Sequence, residues 1–119
     1  MALPAPAVFP MGADAARVRF LPVISDNMQP TFRRGDFVAV APINDYRGEG
    51  IYVFELLGRP NIYRAATDPM RPGFIVWSDN PAYARHHFTV EQFADAVIGQ
   101  AFAICKVIDP TLIPTTANH

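Results

Sequence analysis

A chain of 119 residues is the size of one domain. Half of it is hydrophobic, with nine Phe, four Tyr and one Trp, which is enough apolar surface to fill a single core and argues against intrinsic disorder. With a net charge of −1, its ten Lys and Arg thinly spread and offset by eleven Asp and Glu, the chain gives no sign of the basic face with which a domain normally holds nucleic acid unaided. Twelve Pro and seven Gly interrupt the chain too often for long helices and favour short strands and turns.

Residues 1–16, MALPAPAVFPMGADAA, are rich in Pro and Ala, show no periodicity and read as an extended arm or linker, with Phe9 as its candidate contact to a neighbour. They lack the basic region and continuous apolar stretch of a secretory signal. No apolar run approaches the roughly 18 residues that span a bilayer, so the sequence predicts a soluble, cytoplasmic protein. RVRFLPVI (17–24) alternates and predicts a strand. In SDNMQPTFRRGD, Pro30 and Gly35 forbid a regular element and leave room for a single turn at 27–31. FVAVAP (37–42) predicts a strand ended by Pro42, and NDYRGEG a polar turn. IYVFELL (51–57) and NIYRAAT (61–67) predict a hairpin joined through Gly58, Arg59 and Pro60. After the turn DPMRPG comes the strand FIVWS (74–78), and then DNPAYARHH, which is irregular. Thr89 and Gln92 fit a capping box over VEQFAD. AVIGQAFAICKVI (96–108) predicts a long closing strand with a bulge at Gly99. Residues 109–119 form a polar tail that frays.

Seven or so short strands describe an all-β domain over residues 17–108, a partly open barrel or folded sheet. Composition gives that fold class and no function. The individual reactive residues add little. Cys105 has no internal disulfide partner and reads as a buried strand cysteine. His86 and His87 have no further ligand cluster at metal spacing and read as a solvated loop pair. Ser78 reads as a turn residue. Lys106, the only lysine, reads as a surface or edge-strand residue. The chain carries no pattern for a metal or other cofactor.

Four segments together are more informative. VISDNMQPTFRRGDFVAV (23–40) is similar to a strand followed by Gly-Asp-Ser-Met-x-Pro-Thr, Gly-Asp and an apolar strand. EGIYVFELLGRPNIYRAA (49–66) is similar to a Gly-Ile-Tyr-Val hairpin whose return strand ends in Val-Lys-Arg. FIVWSDNPAY (74–83) matches an apolar strand with Ser-Asp-Asn-Pro-x-Tyr, and IGQAFAICKVI (98–108) an Ile-Gly-Arg-Val closing strand. Each is modest evidence alone. In this order and at this spacing they resemble the C-terminal domains of LexA and phage repressors, a superfamily of Ser–Lys peptidases with a signal-peptidase-like fold.

In that family a serine attacks a carbonyl and a buried neutral lysine takes its proton. The resemblance places the nucleophile position on Asn27 and the base position on Tyr63. A carboxamide has no ionisable hydroxyl, and a phenol holds its proton at neutral pH. Neighbouring Arg64 cannot serve, because a guanidinium does not release its proton. Ser25 lies two residues before Asn27, on the same side of an extended segment, but has no base. Ser25, Met28 and Asn80 are expected to line the cleft, and the Tyr63 hydroxyl to hydrogen-bond the Asn27 amide. Relatives cut themselves at Ala-Gly or Cys-Gly upstream of the core, and MGADAA (11–16) offers neither.

The resemblance thus implies a pseudo-peptidase: a catalytically degenerate domain for oligomerisation and regulation in a phage-type or SOS-type transcriptional repressor system. Its expected partner is a second copy or a repressor in a mixed dimer, joined through the closing strand and an exposed sheet edge. DNA would be reached only through a separate domain, and no membrane is involved. The alternative is a peptide-binding module that keeps the degenerate cleft. A serine peptidase with a non-standard nucleophile finds no supporting constellation.

Overall fold

The computed structural model describes residues 17–112. The arm at 1–16, with Phe9 and MGADAA, and the end of the tail at 113–119 lie outside the described residues. Along the chain run β1 (Arg19–Pro22), β2 (Phe37–Pro42), β3 (Gly50–Leu56), β4 (Arg59–Thr67), β5 (Phe74–Trp77), β6 (His86–Phe88), α1 (Val90–Ala96) and β7 (Val97–Cys105). A short 3-10 turn follows at Pro110–Leu112. The strands make one antiparallel sheet in the order β1-β2-β7-β3-β4-β5-β6, so the last strand sits between β2 and β3. Residues of β1 and β4 line the same groove although three strands separate them, which shows that the sheet curls. The fold is mostly β, as the sequence predicts.

Strand alternation sends side chains to two cores, one on each face of the sheet. From β3, Tyr52 and Phe54 enter a cluster with Ala65, Val76, Phe93, Ala96 and Val97. Val53, between them, faces the other side, where Val38 and Val40 pack with Val23, Met28 and Phe32. The short helix α1 is held by the expected capping box: the Gln92 amide N–H donates to Thr89 Oγ1, and the Thr89 N–H donates to Gln92 Oε1. Its Phe93 and Ala96 are the buried residues.

Several details differ from the sequence reading. The β3–β4 turn is only Leu57-Gly58, with φ of 52° and 78°, the paired positive dihedrals that match strand twist in a two-residue hairpin. Pro60 therefore belongs to β4, opposite Glu55. β6 is a strand the sequence did not reveal, because three residues are too few to show a period. It is held by pairing Val76 with His86 and Ile75 with His87. His87 is accordingly no solvated loop residue: its Nδ1 lies 2.8 Å from Asp68 Oδ2, and both side chains are largely buried.

In β7 the register shifts opposite Val53/Phe54 and opposite Ala39/Val40, so the extra residues are Ile98 and Phe102, flanking Gly99. At Gly99 itself a Cβ would meet Val40 Cγ1 at 2.2 Å and the Ala41 carbonyl at 2.9 Å. Cys105 ends β7 and is exposed rather than buried. Pairing with β3 stops at Ala101, so among the described strands the last residues of β7 pair with β2 alone.

Candidate functional site

The segment between β1 and β2 folds back on itself through hydrogen bonds from Gln29 N–H to the Asp26 carbonyl and from Thr31 N–H to the Met28 carbonyl, the single turn expected at 27–31. Met28 and Phe32, both fully buried, plug this turn into the second core. That anchoring carries Asn27 to the side of β4. Met28 thus supports the site from the core and does not line the groove.

Asn27 is nearly buried, at 9% exposure, and every polar atom of its backbone and amide nitrogen is engaged. Its Nδ2 donates to the Ile62 carbonyl at 2.7 Å and to Ser78 Oγ at 3.1 Å. Its own N–H donates to Ser25 Oγ at 3.2 Å, and its carbonyl accepts the Asn80 N–H at 2.9 Å. Asn80 Nδ2 also donates to the Asp26 carbonyl at 3.1 Å, and the Tyr83 hydroxyl donates to Asp26 Oδ1. Ser25, Asn27 and Asn80 are thus brought together by hydrogen bonds; of the residues expected to line the cleft, Ser25 borders the groove, whereas Asn80 supports Asn27 from beside it.

Tyr63 stands in a different relation. It lines the groove with Asn27, but its ring packs against Phe54 at 6.3 Å and His86 at 6.1 Å between centroids. The expected hydrogen bond between Tyr63 and Asn27 does not form. The amide protons of Asn27 go to Ile62 and Ser78, and the Tyr63 hydroxyl does not donate to Oδ1 because strand alternation turns the ring to the face opposite Ile62, onto the first core. Ser78 is the site residue that sequence reasoning missed. It is 7% exposed, and its only sequence signal was its place in the Ser-Asp-Asn-Pro motif at the end of β5.

The groove, about 300 Å³, runs between the β1 side, through Leu21 and Ile24, and the free half of β4, through Arg59, Pro60 and Ile62. Behind it, Arg64 makes a two-point ion pair with Asp79, Nε to Oδ1 at 2.5 Å and Nη2 to Oδ2 at 3.1 Å, and Thr31 donates to the same carboxylate. Burial alone would raise the Asp79 pKa, but the hydrogen bonds from Arg64 and Thr31 outweigh it and hold the carboxyl below its usual range. A depressed folded-state pKa gives stability that is present above the unfolded-state value of about 3.9 and is lost as pH falls through it toward the folded value. Urea titrations are expected to show a lower midpoint at pH 3 than at pH 5, and Asp79→Asn is expected to reduce that difference. An unchanged difference in the variant would remove Asp79 from the account.

Lys106 lies on the surface, just beyond β7. It donates to Asp36 Oδ2 at 2.6 Å, the oxygen that also accepts the Arg33 N–H at 2.8 Å. It thereby ties the turn before β2 to the chain's last strand and is engaged away from Asn27. Among the described residues no group of three or more His, Cys, Asp or Glu is placed to hold a metal ion. No helix among them is long and apolar enough to cross a membrane.

A family model described as Peptidase S24-like matches residues 2–102. No curated protein matches the chain.

Proposed function

Because the chain belongs to the Peptidase S24-like family, we propose that it is a non-catalytic member that keeps the family's groove for an extended peptide and acts by binding and assembly rather than by cutting. The observation that carries this reading is the state of Asn27. The residue in the nucleophile position is a carboxamide whose Nδ2 is committed to Ile62 and Ser78. Acyl transfer needs an oxygen nucleophile and a group to take its proton, and the phenol of Tyr63 is no equivalent of a neutral lysine.

Incubation of the purified chain at alkaline pH, followed by intact-mass measurement, is expected to give no time-dependent fragments. Asn27→Ser alone is expected to give none either, since it restores a hydroxyl without a base. Fragments from the wild-type chain, abolished by one substitution in the groove, would sink the reading.

The assembly side of the proposal, a homodimer or a mixed dimer with a repressor whose separate domain reads DNA, is supported by one feature of the sheet. Among the described strands β1 lies at an edge of the sheet with Phe20 exposed, and a strand edge of this kind suits two-fold pairing. The closing strand offers only its end as a surface: β7 is paired on both sides from Gly99 to Ala101 and, among the described strands, with β2 alone from Ala103 to Cys105. Sedimentation across micromolar concentrations tests this part. A strictly monomeric species would count against it.

A further inference from the structure

Alternate residues of β1 face the second core. Arg19 lies opposite Val40 and Leu21 opposite Val38, and both valines belong to that core, so Arg19 and Leu21 share its side of the sheet. Pro42, two residues after Val40, is on the same face and stands opposite Gly99 of β7. In a regular strand Ile98 would face away from Gly99. It is, however, the residue left over where the β7 register shifts against β3, and a bulge re-aims the side chain of its extra residue. The result is a concave site of about 520 Å³ bordered by Arg17, Arg19, Leu21, Val40, Pro42 and Ile98. It shares only Leu21 with the groove beside Asn27.

The walls of this site are of two kinds. Leu21, Val40, Pro42 and Ile98 make an apolar floor, while Arg17 and Arg19, both exposed, bring two guanidinium groups to it. Among the described residues neither arginine has an ion-pair partner, whereas Arg47, Arg64, Arg71 and Lys106 each have one. Asp45, the acid nearest to Pro42 along the chain, is taken by Arg47. Two like charges facing one concavity raise its potential, and the low-dielectric floor strengthens their pull on an anion. A guanidinium cannot relieve that repulsion by losing its proton, and its planar fork suits the two oxygens of a carboxylate or phosphate.

We propose that this site binds a small amphiphilic anion, its carboxylate or phosphate head held by Arg17 and Arg19 and its aliphatic body laid on Leu21, Val40, Pro42 and Ile98. The volume falls in the span of roughly 300–1,000 Å³ usual for small-molecule sites. Each half of the site needs its own half of the ligand. A simple inorganic anion would satisfy the arginines and leave the floor uncovered, as would an extended polyanion such as nucleic acid. A neutral hydrocarbon would cover the floor and leave both cations unpaired. The proposal stands apart from the reading of the groove and from that of assembly. An occupant here touches β1, β2 and β7 at once, the edge strand together with the strand that joins the two halves of the sheet.

Titration of the full-length chain with octanoate and, separately, with octyl phosphate, followed by calorimetry and methyl NMR, tests the proposal. At least one of them is expected to bind saturably, to shift the Ile98 methyl signals and to leave in place those of Ile62 and Ile104, which border other hollows. The tighter of the pair identifies the head group. Octanol keeps the body without the charge, and acetate and inorganic phosphate keep the charge without the body; all three are expected to bind at least about tenfold more weakly. Arg19→Gln is expected to weaken binding by about tenfold, the scale of one charge-assisted hydrogen bond, and Ile98→Asp, which sets a like charge beside the head, by at least as much. Both residues are exposed, so neither change opens a core. Octanol bound as tightly as octanoate and octyl phosphate, undiminished affinity in Arg19→Gln, shifts centred on Ile62 or Ile104, or no saturable binding would each overturn the proposal.

Discussion

Phe93→Ala lowers the free energy of unfolding by about 3–5 kcal/mol, the range for truncating a buried aromatic. Phe93 is 1% exposed and is the hub of the first core. Its ring lies 4.5 Å from Phe74, 5.2 Å from Tyr52, 5.2 Å from Phe54 and 5.7 Å from Tyr46 between centroids. Edge-on contacts of this kind add to the area buried, and α1 contributes only one other buried side chain, Ala96. Removing the ring leaves a cavity that a seven-residue helix between two strands cannot collapse to fill. Urea unfolding is expected to show a lower midpoint with an unchanged slope. Glu91→Ala, on the exposed side of the same helix, is expected to stay within about 0.5 kcal/mol. A loss below about 1 kcal/mol for Phe93→Ala would mean that the helix is not docked as described.

Gly99→Ala is expected to cost about 3 kcal/mol, the upper part of the usual range for overpacking. The added methyl would stand 2.2 Å from Val40 Cγ1 and 2.9 Å from the Ala41 carbonyl oxygen. Val40 is itself buried in the second core, and the backbone oxygen cannot give way unless β2 and β7 part. Those strands are paired at this point, Gly99 opposite Pro42 on one side and opposite Val53 on the other. The clash is therefore felt by three strands. Thermal melts read this directly, and a variant as stable as wild type would show that β2 and β7 do not approach this closely.

The sequence was most legible where a period or a cap is written over several residues. FVAVAP gave β2 to the residue, and Thr89 with Gln92 gave the start of α1. It was least legible where tertiary pairing decides. The three residues of β6 have no pattern of their own, and Gly58-Arg59-Pro60 looked like a loop because proline usually punctuates. At Pro60 no ladder bond is lost for want of the N–H, since that side of β4 has no strand partner there among the described residues. Cys105 sits in an apolar run yet is exposed, because hydrophobic sequence does not report where a strand outruns its core.

At the site, motif order pointed to the segments around Asn27 and Asn80, but not to which of their side chains border the groove: Met28 turns into the core and Asn80 braces Asn27. What Asn27 touches was not legible either, because a side chain bonding to a backbone carbonyl 35 positions later leaves no trace in spacing. The buried hydroxyl of Ser78 was hidden for the same reason.

The position of β7 constrains how the protein comes into being. β2 and β3 are not neighbours; each is bonded to β7 and not to the other. Until Val97–Cys105 leaves the ribosome, the nascent chain holds a two-stranded ribbon and a four-stranded ribbon with no backbone ladder between them; isolated contacts such as those of Asn27 reach across. The last of the seven described strands to be made is the seam, and a chain that stops short of it possesses the pieces of a sheet without being one.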